Sequence, residues 1–72
     1  MQSLTDRELQ VFQLLGAGMS TRQIAESFHL SVKTIETYRQ NIKNKLGLHD
    51  GAALLRCATD WVRRQTPPAP LS

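Results

Sequence analysis

Apolar residues recur in four bursts at helical spacing, each opened by a hydroxyl-bearing or acidic residue. In the first burst, Thr5 and Glu8 stand at the spacing of a capping box. There a hydroxyl accepts the amide three residues on while the carboxylate reaches back to the cap. Leu4 and Leu9 flank that box as a hydrophobic staple, and Val11, Phe12, Leu14 and Leu15 continue an apolar stripe until Gly16 and Gly18 end it. The pattern predicts a first helix with Gly18 in the left-handed conformation beyond its end. Ser20 and Gln23 repeat the box, stapled by Met19 and Ile24, and predict a short second helix whose inner face is Ile24, Ala25 and Phe28. Ser31 caps a third helix running to about Leu46, with Gly47 as its stop. Asp50 caps a fourth, to about Arg64. No alternating strand pattern intervenes, so the expected fold is all-α, one domain over 1–64 followed by a disordered Pro-rich tail over 65–72.

The second and third helices, joined by about three residues at His29 to Ser31, have the helix-turn-helix arrangement, spanning about 20–46. Any small helical bundle would show similar caps and stripes, so what distinguishes this one is the surface that the third helix presents. At 100° per residue, Ile35, Ile42 and Leu46 share one face, flanked by Val32 and Tyr38. The opposite face carries Lys33, Thr37, Gln40 and Asn44, with Glu36 and Asn41 at its margins. Amides and hydroxyls donate and accept together, which suits reading of base edges. A solvated helix face more often carries Glu/Lys pairs, and this one is poor in them.

Charge sharpens the picture. The 72 residues carry a formal +3, and Ser20 to Gly47 hold five basic residues against two acidic, a surplus equal to the whole. Lys43 and Lys45 can reach phosphates or simply favour a helix C-terminus through its dipole. Arg39 lies near the core face and is expected to pair with Glu8 or Glu26, or to reach a phosphate.

Other chemistries find little support. Cys57 is the lone cysteine, which excludes an internal disulfide, and His29 and His49 stand too far apart for a zinc site. No metal or cofactor motif occurs, no apolar run reaches a membrane span, and the scattered Glu8, Glu26 and Glu36 form no catalytic pair. The expectation is a non-enzymatic module of a reducing, cytoplasmic compartment.

In the fourth helix, Trp61, Ala58, Val62 and Leu55 lie on the side expected to face the domain's own core. Small residues at Ala53 and Cys57 extend the apolar arc beyond it. This width predicts a contact with a second copy through Ala53, Cys57 and Trp61. The alternative is a core that wraps further around the helix.

Residues 4–62 also resemble the LuxR-type helix-turn-helix domain, the output module of NarL/FixJ-class bacterial response regulators. The resemblance is carried by Leu4-Thr5, Arg7-Glu8, Gly18, Ser20 to Ala25, Leu30-Ser31, Lys33 to Glu36, Asn41-Ile42 and Lys45-Leu46. It implies a four-helix domain binding duplex DNA as a homodimer, with the third helix in the major groove and the fourth at the dimer contact. By position, Lys33, Glu36, Thr37 and Gln40 would face bases. Ser20, Thr21, Ser31, Thr34, Tyr38, Asn41 and Lys45 would touch phosphates or support the base-reading set. Pairing only on DNA, contact with RNA polymerase and a receiver or sensory domain missing from this chain are further expectations. The sequence departs from the family at Tyr38, where histidine is common, and at Gly51, where many members carry arginine. The rival readings are a helical dimerisation module without DNA and a sigma-factor-like promoter reader that acts unpaired.

Overall fold

The computed structural model describes residues 4–65. Within them the chain forms four helices: α1 (Asp6–Gly16), α2 (Thr21–Phe28), α3 (Val32–Leu46) and α4 (Gly51–Gln65). The helix starts fall where the caps predict. Glu8 N–H donates to Thr5 Oγ1 at 3.2 Å and Glu8 Oε1 accepts from Thr5 N–H at 2.9 Å. Ser20 and Gln23 make the same reciprocal pair at α2. Ser31 accepts from Thr34 N–H at 3.1 Å, and Asp50 Oδ1 accepts from Ala53 N–H at 2.7 Å.

The first three helices end alike. Met19 N–H reaches Leu14 O, Leu30 N–H reaches Ala25 O, and Leu48 N–H reaches Lys43 O, each the long bond of a Schellman turn. That turn needs a left-handed residue, supplied by Gly18 and Gly47 at positive φ, but at α2 by His29 with φ 58°. A side chain there costs about 1–2 kcal/mol relative to glycine. The helix-turn-helix bend is thus held on a strained histidine.

Val11, Phe12, Leu15, Ile24, Ala25, Ile35, Ile42, Leu54 and Ala58 form the core, with Leu46, Tyr38, Cys57 and Trp61 packed partly buried against it. Packing is closest where α1 crosses α4. A methyl on Gly16 would stand 2.5 Å from Val62 Cγ2 and closer still to the Ala58 carbonyl oxygen, so the two backbones meet without a side-chain layer between them. Phe12 of α1 and Trp61 of α4 add a tilted ring pair at 5.7 Å.

Two apolar residues leave their expected faces. Val32, expected to flank the core, is 41% exposed. As the first residue of α3 its side chain leans back toward the turn rather than over the core. Leu55, expected to face inward, is 49% exposed, because α1 covers an arc centred on Leu54 and Ala58 that stops short of it. Of the tail expected over 65–72, Gln65 instead closes α4, and 66–72 lie outside the described residues.

Candidate nucleic-acid interface

The outer face of α3 is assembled as its periodicity requires. Lys33, Glu36, Thr37, Gln40, Asn41 and Asn44 are all exposed. Thr37 Oγ1 donates back to Lys33 O at 3.1 Å and Gln40 Nε2 donates to Asn44 Oδ1 at 3.2 Å. These bonds hold the side chains against their own helix and leave the Gln40 amide oxygen and the Lys33 ammonium outward. The face can donate, accept and carry charge, the combination that recognises edges of base pairs.

The flanking polar residues do local work first. Ser20 caps α2, and Ser31 caps α3 while bonding Thr34 Oγ1 at 2.9 Å. Both serines stay exposed, as does Asn41, whereas Thr34 and Tyr38 are half-buried. Helix starts of this kind present amide N–H groups that also attract phosphate oxygens.

Two cations behave differently from the rest. Lys45 Nζ lies 2.6 Å from Glu8 Oε1, a pair that sequence separation conceals, and its side chain is 23% exposed. The carboxyl of Glu8, almost fully buried, is held below the ordinary carboxylate value first by the Lys45 hydrogen bond and then by the Thr5 amide. Lys45 therefore serves the fold before any phosphate. Arg39 reaches neither Glu8 nor Glu26, the partners expected for it. Its Nη1 donates to Thr21 Oγ1 at 2.9 Å, linking α3 to the first residue of α2.

On α4, Trp61 is engaged with Phe12, and Ala53 and Cys57 are half-buried beside the core. Cys57 also borders a shallow concavity on a more open edge, lined with it by Ala52, Leu55, Arg56, Thr59, Asp60 and Arg63. Helical periodicity alone hides this edge, because it places Leu55 in the core arc, whereas Leu55 is exposed. Among the described residues no group of three or more His, Cys, Asp or Glu is placed to hold a metal ion, and no helix is long and apolar enough to cross a membrane.

The sequence matches a family of known proteins. The family described as bacterial regulatory proteins, luxR family, matches residues 2–58. The response regulatory protein YgeK of Escherichia coli, described as uncharacterized, is 44% identical over 55 residues, covering 76% of this chain and 37% of that protein. The transcriptional regulatory protein MctR of Rhizobium johnstonii is 44% identical over 57 residues, 79% of this chain and 27% of that protein. The response regulator protein VraR of Staphylococcus aureus is 37% identical over 49 residues, 68% of this chain and 23% of that protein. The chain spans well under half the length of each of these relatives. No solved structure matches. With the match running from residue 2, ahead of the first capping box, to Ala58 in the middle of α4, the chain belongs to the luxR family of bacterial regulatory proteins.

Proposed function

We propose that this domain binds duplex DNA to regulate transcription, with α3 in the major groove and Lys33, Glu36, Thr37 and Gln40 turned to the bases. The observation that carries the reading is the outer face of α3, wholly polar along its centre and bonded only to its own helix. Ser20, Thr21, Ser31, Thr34, Tyr38 and Asn41 surround that face and would fix it to phosphates through hydroxyls, an amide and helix N-termini. Lys45 joins them with the N–H donors that Glu8 leaves free.

The same reading makes the protein a homodimer on a two-half-site duplex, paired through α4 about Ala53 and Cys57, with Trp61 supporting that helix from the core side. So small an apolar patch falls below the ~1,200 Å² of a stable interface, so pairing belongs to the DNA-bound state. In a longer response regulator this module would be the output domain, answering to a receiver or sensory domain and working through contact with RNA polymerase.

The test is selection of bound sequences from a random duplex pool, followed by salt titration on the winner. The expected result is a palindromic consensus and a log–log slope of about −3 to −4 per bound monomer, from ~4 phosphate contacts. A single asymmetric site would favour the unpaired, sigma-like reading, and a flat salt response would remove nucleic acid from the function.

A further inference from the structure

Arg39 is the charge this fold leaves unanswered. Its guanidinium is partly buried where α2, α3 and the start of α4 converge. One N–H is given to the neutral Thr21 hydroxyl, and Nε–H is buried without any hydrogen-bond partner. The two ion pairs among the described residues are Lys45–Glu8 and Arg64–Asp60, so no carboxylate lies within ion-pairing distance of Arg39, although Glu36 borders the same concavity. Withdrawing a cation from water with neither counter-ion nor full hydrogen bonding is costly, and the cost is recovered when an anion arrives.

The surroundings leave room for that anion. Arg39 stands on the border of two concavities. One, of about 290 Å³, runs past Thr21 and Gly51. The other is bounded by Glu36, Gln40 and Lys43 on the outer side of α3. A methyl on Gly51 would come within 3.2 Å of Arg39 Nη2, so the glycine keeps the guanidinium's far side open. Thr21 Oγ1 accepts from Arg39 and keeps its own hydrogen to donate elsewhere.

We propose that Arg39, with the Thr21 hydroxyl, clamps one backbone phosphate of the bound duplex, at the junction of α2, α3 and α4. The anion is the phosphodiester because Arg39 adjoins Gln40 and Lys43, so a strand whose bases meet the outer face of α3 carries its phosphates past this junction. The guanidinium fork then makes charge-assisted bonds that fix how deeply α3 sits. This inference rests on the DNA-binding reading.

The experiment measures binding of the full chain against salt concentration, for the unmodified protein and for Arg39→Gln, on selected and random duplexes, with thermal melting of each protein alone. Arg39→Gln keeps a donor for Thr21 and removes the charge. The expected result is a slope shallower by about one, from ~0.9 per phosphate, with a roughly tenfold loss on both duplexes and melting unchanged or raised, since the uncompensated charge is gone. A neutral methylphosphonate at the contacted phosphate should weaken the unmodified protein and leave Arg39→Gln indifferent. An unchanged slope in a folded Arg39→Gln overturns the clamp and leaves DNA binding standing. Failure of the unmodified protein to bind any duplex overturns both. If Arg39→Gln does not fold, Arg39→Lys replaces it. Lysine keeps the charge, so the slope must persist while affinity falls, and a slope lost with lysine refutes the clamp.

Discussion

Glu8 Oε1 accepts from Lys45 Nζ at 2.6 Å and from Thr5 N–H at 2.9 Å, so one carboxylate oxygen ties the start of α1 to the last turn of α3. Because folding lowers the Glu8 pKa below its ordinary 4.5, the group contributes stability above that value and loses it as pH falls through the folded value. Urea unfolding between pH 7 and pH 3 should show stability falling on the acid side of 4.5. Glu8→Gln should flatten that limb. Lys45→Ala should cost about 1–3 kcal/mol at neutral pH by leaving a buried carboxylate unpaired. It should also change the salt slope of DNA binding by less than one full phosphate contact.

Gly16 predicts the opposite of helix propensity. Alanine is the better helix former by up to ~1 kcal/mol, yet here its methyl meets the Ala58 carbonyl and Val62. Gly16→Ala should destabilise by about 1–3 kcal/mol in thermal unfolding. Val62→Ala should relieve only part of the loss, because the backbone carbonyl remains.

His29→Gly should raise stability by about 1 kcal/mol, read from the urea midpoint, since glycine occupies φ 58° without strain. A loss instead would reveal a contact of the imidazole that outweighs its backbone strain.

Gln40→Ala should cost ~1–3 kcal/mol on the preferred duplex and flatten sequence preference, with random duplex binding little changed. Competition binding between the two duplexes measures this. Equal losses on both would place Gln40 on phosphate rather than on a base.

Cys57 tests the pairing helix. On a two-half-site duplex, a short bis-maleimide should join two copies through Cys57, and a bulky residue at Ala53 should abolish cooperative binding in a folded protein. Cooperativity that survives Ala53→Trp would shift the contact to the Leu55 edge.

The helix boundaries were legible because their causes are local. Caps and Schellman turns are closed by residues within five positions, so Thr5, Ser20, Ser31 and Gly47 announce them. The outer face of α3 was legible for the same reason: one period orders Lys33, Thr37, Gln40 and Asn44. What escaped depends on residues far apart. Nothing near Lys45 points to Glu8, 37 positions away. Arg39 could be assigned to a carboxylate until the fold spent Glu8 elsewhere. Leu55 and Val32 sit at the ends of apolar arcs, where only the outline of the neighbouring helix decides what is covered.

The bare crossing at Gly16 has a consequence for spacing. At Gly16 the α1 backbone bears directly on the Ala58 carbonyl and Val62, and the Phe12 and Trp61 rings pack beside it, so a tilt of α4 presses on α1, which is fastened to α3 through Glu8 and Lys45. The domain is therefore a ruler rather than a hinge. In the proposed dimer, the distance from the pairing helix to the base-reading helix is a constant of each copy. The number of base pairs between half-sites would then be set inside the monomer, and altering it would require rebuilding the α1–α4 crossing rather than the surface that touches DNA.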